Sequence, residues 1–289
     1  LIFQTKLEGL VTNRLCWGTS NAKKAVLSFW AKAEINGFSS GTKDFVLEIQ
    51  TSDSQEFSVV CQLTANNTWQ KFTVPIDAKT SGSVVNDNQA AASINWWLDA
   101  GTNYKGGSGV TGWSAKANSG GVRAAGQTLA LGAHTDNNFY LTGVQFELND
   151  TGVATDFEHL SFADELRRCQ RYYYMFAPYV GYNGRSNFAG ISEGATFYTA
   201  NNIFAQIEFP TTMRTVPSIV YSTGTNYYII YRQGTNMQFD GSGVTMEAVA
   251  DDNKACINKN GTPSNATAGD AALWRLNNNS AYMAANAEL

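Results

Sequence analysis

Several short stretches of this sequence carry residue types at spacings that chemistry uses. Gly37-Phe38-Ser39-Ser40-Gly41 satisfies G-x-S-x-G, the spacing that exposes a nucleophilic serine on a sharp strand-to-helix turn. Here a hydrophilic loop follows instead of a helix, and His134 and His159 are the only histidines. A serine hydrolase does not fit that context. Gly107, Gly109 and Gly112 satisfy G-x-G-x-x-G, but a dinucleotide fingerprint opens a helix, and Trp113-Ser-Ala-Lys leads into more glycine. Ser20 and Lys23 satisfy S-x-x-K and read as a solvated turn. Asp251-Asp252 offers oxygen ligands to a hard cation, yet adjacent carboxylates on a strand point to opposite faces, which favours a polar turn. Each histidine lacks the Cys or carboxylate company of a metal ligand. No cofactor or metal is expected, and the reading is of a protein that is not an enzyme.

Binding chemistry is better represented. The glycine-rich loop from Gly101 to Gly126 holds Tyr104 and Trp113 among Asn, Lys and Ser. Loops this long are commonly functional, and exposed aromatics beside hydrogen-bonding groups suit sugar stacking. The alternative is that Trp113 covers the end of a sandwich as packing. A second candidate is Tyr221–Tyr231, where Thr223-Gly-Thr-Asn226 forms a turn beside Tyr227 and Tyr228. Ser, Gly and Asn give adaptable hydrogen bonds, and Tyr gives contact area at low entropy cost. Alternation in a strand would instead bury one of the two tyrosines. The candidate receptor- or glycan-binding residues are therefore Tyr104, Trp113, Asn226, Tyr227 and Tyr228.

These loops must be held by strands. Short runs with period-two alternation recur between Gly, Asn, Ser and Asp turns, as in a sandwich or jelly roll. They are Thr5–Val11, Ala25–Ala33, Phe45–Thr51, Glu56–Leu63, Gln70–Ile76, Ala91–Ala100, Leu129–Leu131 and Phe139–Leu148. In the second run Ala25, Leu27, Phe29, Ala31 and Ala33 share one face and Val26, Ser28, Trp30 and Lys32 the other. In the last, Tyr140, Thr142, Val144, Phe146 and Leu148 oppose Leu141, Gly143, Gln145 and Glu147. The period then changes. Phe162, Leu166, Cys169 and Tyr173 fall on one helical stripe, with Ser161 as N-cap, Asp164 completing an approximate capping box and Leu160 at the staple position. The stripe predicts a buried Leu166. Beyond the helix, strands are expected at Thr196–Thr199, Ile203–Phe209, Ser218–Tyr221, Tyr227–Arg232, Met237–Asp240, Val244–Val249, Leu273–Leu276 and Ala281–Ala284. Phe209-Pro210 and Val216-Pro217 mark strand edges, and Lys254–Ala268 reads as polar turn. The fold class is all-β: a jelly-roll-like sandwich over 1–150, a connector and short helix over 151–174, and a second β-rich domain over 175–289.

Composition agrees. The chain of 289 residues is 43% hydrophobic, 12% aromatic and only 15% charged, the balance of a turn-rich β protein. A net charge of −4 argues against a nucleic-acid partner. No stretch is long and apolar enough for membrane insertion as a helix. The chain begins at Leu1 without Met, which predicts a longer or processed mature form. Cys16, Cys61, Cys169 and Cys256 form no CxxC and sit in apolar runs, so buried free thiols are expected, with disulfides only in an oxidising compartment.

The run GVQFELNDTGVATDFEHLSFADELRRCQRYYY, Gly143 to Tyr174, resembles the junction of bacteriophage tail-fibre and receptor-binding proteins. KLEGL, LCWGTSNAKKAVLSFWAKA and NTWQKFTVPI resemble the module before that junction, and FPTTMRTVPSIVY and the terminal AEL resemble the segment after it. Asp156 stands where Pro is usual, and Leu160 where a basic residue is common. The resemblance implies a virion fibre or spike part, made in the host cytoplasm. It would be a homotrimer joined to other fibre or tail proteins, binding a host surface glycan or protein without catalytic residues. The surplus aromatics Tyr172, Tyr174, Phe176, Tyr179 and Tyr182 suit an interface. The chain after the junction would be the distal, recognising part. A structural spacer and a polysaccharide depolymerase are the alternatives; the latter needs a carboxylate pair about 5–10 Å apart across a sugar cleft. Carbohydrate-binding modules of this architecture have neighbouring first and last strands, so Thr5–Val11 is expected to pair with Phe139–Leu148.

Overall fold

The computed structural model describes residues 1–106, 112–116, 123–192, 194–232, 234–247, 250–261 and 266–289. The protein is all-β and forms two compact units, Leu1–His159 and Leu160–Glu288.

The first unit contains β1 (Ile2–Glu8), β2 (Ala25–Glu34), β3 (Lys43–Thr51), β4 (Gln55–Leu63), β5 (Gln70–Ile76), β6 (Ala90–Trp97), β7 (Ser114–Ala115) and β8 (Asn138–Leu148). They form a five-stranded sheet, β1-β6-β3-β4-β7, and a three-stranded sheet, β5-β2-β8. Alternation puts Ala25, Leu27, Phe29, Ala31 and Ala33 of β2 into the core, opposite Phe45, Leu47 and Ile49 of β3 and Ile94 and Trp96 of β6. Phe29 stacks on Phe72 at 5.3 Å. Each such large side chain contributes about 1.5–3 kcal/mol on burial.

β1 pairs with β6, from Ile2↔Trp97 to Leu7↔Ala92, and β8 pairs with β2. This corrects the expected pairing of the first and last strands. Gln4 Nε2 donates to Asn95 Oδ1 at 2.7 Å, tying β1 to the polar face of β6. Phe139, Leu141 and Phe146 of β8 instead follow β2 into the core. β1 also stops at Glu8 rather than Val11. A Cβ on Gly9 would lie 2.6 Å from the Asp87 carbonyl oxygen, and the chain turns there into a helical turn, α1 (Gly9–Thr12). Leu129–Leu131 is no strand: a 3₁₀ turn occupies Leu131–Ala133.

The alternation of β8 does not run straight through. Gly143 has φ +59°, and the register with β2 slips between Ser28 and Trp30. This is a glycine bulge. Before it the odd-numbered Phe139 and Leu141 face inward; after it the even-numbered Phe146 does, freeing Gln145 and Glu147 to hold the following connector. Gln145 Nε2 donates to Thr155 Oγ1 and the Asp156 carbonyl, and its Oε1 accepts from Glu158 N at 2.8 Å. Glu147 accepts from Thr155 N and Oγ1 at 2.9 and 2.7 Å. Asp156 enters this clamp through its backbone oxygen.

The second unit begins with α3 (Phe162–Gln170) and contains β9 (Tyr173–Ala177), β10 (Ala195–Thr199), β11 (Asn202–Glu208), β12 (Ser218–Tyr221), β13 (Tyr228–Arg232), β14 (Thr235–Phe239), β15 (Val244–Met246), β16 (Lys254–Asn260), β17 (Ala271–Leu276) and β18 (Met283–Asn286); a single turn, α2 (Thr102–Lys105), belongs to the first unit. A seven-stranded sheet, β14-β13-β17-β10-β11-β16-β15, and a three-stranded sheet, β12-β18-β9, enclose Phe197, Ile203, Ile230, Ile257, Trp274 and Met283. The polar-turn expectation for Lys254–Ala268 is corrected by β16, where Ala255 and Ile257 alternate into the core; 248–249 and 262–265 lie outside the described residues. β9 follows α3 directly, so Tyr173 belongs to a strand and not to the helical stripe.

Ser161 caps α3: its Oγ accepts from Asp164 N at 3.2 Å and donates to Asp164 Oδ2 at 2.6 Å. Phe162 is 80% exposed and Leu166 39%, and Cys169 is exposed. The buried stripe is therefore corrected to an open one within this chain, because β9 pairs with β18 and does not cover it. Cys61 is buried, and burial pushes its thiol up to about 12. Cys16 and Cys169 are exposed and Cys256 half-buried; all four are free, which corrects the buried reading for three of them.

Candidate functional site

Tyr104 and Trp113 come from one loop but are not brought together. Tyr104 lies on α2 with its ring 5.3 Å from Trp97. Trp113 is half-buried, edge-on to Trp17 at 5.1 Å and tilted against Phe57 at 5.6 Å, and its Nε1 donates to the Asp77 carbonyl at 2.7 Å. The expectation of an exposed stacking ring is corrected: Trp113 closes the hydrophobic core. Residues 107–111 and 117–122, with most of the G-x-G-x-x-G stretch, lie outside the described residues.

What this loop does cover is a buried polar cluster that sequence reasoning missed. Glu48, on β3 between the core residues Leu47 and Ile49, is fully buried on the opposite face of the sheet. Its Oε2 accepts from Asn95 Nδ2, Trp97 Nε1 and Arg123 Nη2 at 2.8–2.9 Å, and its Oε1 from Arg123 Nε at 2.7 Å. Arg123 also lies 3.8 Å from the buried Glu56 and over the Trp97 ring. Burial works against the Arg123 charge, but the Glu48 carboxylate outweighs it and raises the guanidinium further. The lone signal was a glutamate inside FVLEIQ.

Asn226 and Tyr227 belong to a connection from one sheet to another rather than to a hairpin, because β12 and β13 belong to different sheets, and Tyr228 opens β13. Asn226 is exposed in the left-handed region at φ +55°, and its carbonyl accepts from Asn277 Nδ2. Tyr227 is half-buried with its ring folded over Gly224. Tyr228 is fully buried. Its hydroxyl donates to the carbonyls of Ser222 and Tyr282 at 2.8 and 2.9 Å, and burial pushes its pKa up to about 12. The expectation that Tyr228 is a surface contact is corrected, because strand alternation turns it into the core.

A groove of this unit lies elsewhere. A cavity of about 880 Å³ is walled by Tyr174 and Phe176 of β9 and by the 190–194 loop, of which Glu193 lies outside the described residues. On β11, Phe204, Gln206 and Glu208 alternate away from buried Ile203, Ala205 and Ile207 and line the cavity, with Thr196 and Cys256 from the neighbouring strands. Tyr198, 67% exposed, extends the aromatic surface edge-on to Phe204 at 5.3 Å. A second cavity of about 590 Å³ shares Tyr174 and Phe176 and adds Tyr182, Asn183, Arg185 and Asn187. Burial raises the Tyr174 hydroxyl above its ordinary value. Aromatic walls with side-chain amides and hydroxyls on the floor make a groove that can stack one face of a ligand and hydrogen-bond its edge. Glu208 is the one carboxylate among the described residues of the larger cavity. The period-two signal of 203–209 was legible; the approach of β9 was not.

The motif candidates resolve into turns. Ser39 sits in the loop leading into β3. Asp251 Oδ1 accepts from Asn253 N and Lys254 N, and these bonds hold its carboxyl below the usual range. His134 Nδ1 accepts from Asp136 N at 3.1 Å, and His159 packs edge-on to Phe157 at 4.9 Å. No family model matches the chain, and no curated protein matches it.

Proposed function

We propose that this chain is a virion fibre or spike component that binds a host surface glycan, without catalysis, through the groove of its second unit. The observation that carries the reading is the groove itself. Tyr174, Phe176 and Phe204 supply apolar faces, and Gln206, Thr196 and Glu208 supply hydrogen-bonding groups at their edge. That combination suits pyranose rings, whose faces are apolar and whose rims are hydroxylated. The junction resemblance supports a virion context and a recognising part after the helix, in the unit that carries the groove. The working form is a homotrimer. The open stripe of Phe162, Leu166 and Cys169 on α3 supports it, because large exposed apolar side chains in register on a helix suit burial against symmetry copies. The test is adsorption of particles carrying Phe204→Ala or Gln206→Ala, with folding and assembly verified, beside a glycan array on the purified protein. Loss of adsorption together with loss of array binding supports the reading. Unchanged adsorption in both variants returns the chain to the role of a structural spacer. Release of reducing ends from the bound polysaccharide would make it a depolymerase.

A further inference from the structure

The outer face of the β5-β2-β8 sheet carries an aromatic array distinct from the groove. Trp30 and Trp69 are each 43% exposed and Tyr140 is 39% exposed. Lys32 and Tyr140 face each other across β2 and β8, and Trp30 lies between Lys71 of β5 and Thr142 of β8. Trp69 immediately precedes β5 and meets Tyr140 edge-on at 6.4 Å. The array therefore reads, across the three strands, as Trp69, Lys32, Tyr140 and then Lys71, Trp30, Thr142. With strands about 4.8 Å apart and alternate residues about 6.6 Å apart along each strand, it covers the footprint of about two sugar rings.

The polar groups of the array are held in place. Lys32 Nζ sits 4.4 Å over the Tyr140 ring and donates to Asn67 Oδ1 at 2.7 Å and Glu34 Oε1 at 3.1 Å. The Tyr140 hydroxyl donates to Glu34 Oε2 at 3.1 Å. The turn that carries Trp69 is pinned by Asn66, whose side chain accepts from Ile35 N and donates to the Ile35 carbonyl. A rigid strand platform with fixed donors and acceptors loses little entropy on binding.

We propose that this face is a second carbohydrate-binding site, taking a pyranose-containing glycan across Trp30, Trp69 and Tyr140. Three features select that occupant. The rings are open and interleaved with hydrogen-bonding groups, which matches the apolar faces and hydroxyl rims of sugars. Two lysines stand within the array, and protein interface cores are depleted in lysine. The Lys32 charge is already balanced by Glu34 and the chain is net negative, which disfavours a nucleic-acid strand. The site stands independently of the groove in the second unit.

The test is tryptophan fluorescence and calorimetry on the full chain with maltoheptaose, cellohexaose, dextran and hyaluronan oligosaccharides as probes. Saturable quenching by at least one probe is expected, weakened at least tenfold by Trp30→Ala and by Trp69→Ala; Phe204→Ala removes the heat of binding at the groove and leaves the quenching curve of this face in place. Each tryptophan is 43% exposed, and the variants are compared with the parent by melting temperature and circular dichroism, so that a loss of binding is read only from folded protein. No saturable response to any probe, or an affinity unmoved by both tryptophan variants, overturns the proposal. A change of light-scattering mass in either variant also overturns it, by making the face a contact between copies. A response lost only in Phe204→Ala assigns all sugar binding to the groove and likewise overturns it.

Discussion

Arg123→Ala strips one side from a fully buried carboxylate. Glu48 receives four hydrogen bonds, two of them from the guanidinium fork, and in the variant keeps only Asn95 and Trp97. A surface pair lost in this way costs about 0–1 kcal/mol, but leaving a buried charge without its counter-ion costs about 3–5 kcal/mol. Glu48 has no solvent access, so the larger figure applies. Arg123→Lys restores the charge but not the fork, and recovers only part of the loss. Glu48→Gln combined with Arg123→Ala costs less than Arg123→Ala alone, since only the Glu56 charge, 3.8 Å from the guanidinium, then loses that counter-ion and the amide oxygen of residue 48 still accepts from Trp97. The assay is guanidinium unfolding followed by tryptophan emission. It reports chiefly on the first unit, because every tryptophan except Trp274 lies there. A loss below about 1 kcal/mol for Arg123→Ala, full rescue by lysine, or strict additivity in the double variant would refute the assignment of this cluster as the electrostatic fastening of the loop over the sheet.

Tyr228→Phe removes the hydroxyl whose single proton is shared between the carbonyls of Ser222 and Tyr282, and is expected to cost about 1–3 kcal/mol in denaturant melts of the second unit while leaving glycan binding intact. Leu166→Ala, which the stripe alone would price as a core truncation of about 2–5 kcal/mol, is expected to shift unfolding by no more than about 0.5 kcal/mol in a monomer. In the proposed trimer, Leu166→Glu is expected to lower the light-scattering mass to that of a monomer without unfolding the chain. Burial works to raise the Glu147 carboxyl, but its bonds from Thr155 outweigh this and hold it below the usual 4.5. A lowered folded-state pKa gives stabilisation that is complete above the unfolded value and lost as pH falls through the folded one. Protection factors of the amides of residues 150–158, taken relative to the intrinsic exchange rate at each pH, should therefore fall on acidification below about pH 4.5, and Glu147→Gln should flatten that dependence.

How much of this was legible divides along the range of the interactions involved. Strand positions follow from local alternation, and β2, β3, β5 and β12 begin and end within two residues of where the sequence puts them. Alternation failed first where one glycine adopts a conformation that ordinary residues resist: at Gly143 it flips every later side chain of β8. It failed again at β16, whose apolar signal is only Ala255 and Ile257. Pairing partners, by contrast, are not local properties, so nothing in Thr5–Val11 distinguished β6 from β8 as its neighbour. The same limit governs the sites. The face of β6 that bears Asn95 and Trp97 and the face of β2 that bears Trp30 and Lys32 look alike in sequence, each mixing aromatic and polar residues at alternate positions. One became an interior because Arg123 and Ala124, distant in the chain, fold over it; the other stayed open. Likewise Phe162 and Leu166 announce an apolar stripe, but a stripe states only that something apolar must cover it. Whether the cover comes from the same chain depends on where β9 goes, and β9 turns to β18 instead. Sequence pattern fixes which side chains share a face; the covering of that face is decided by segments far away in the chain or outside it.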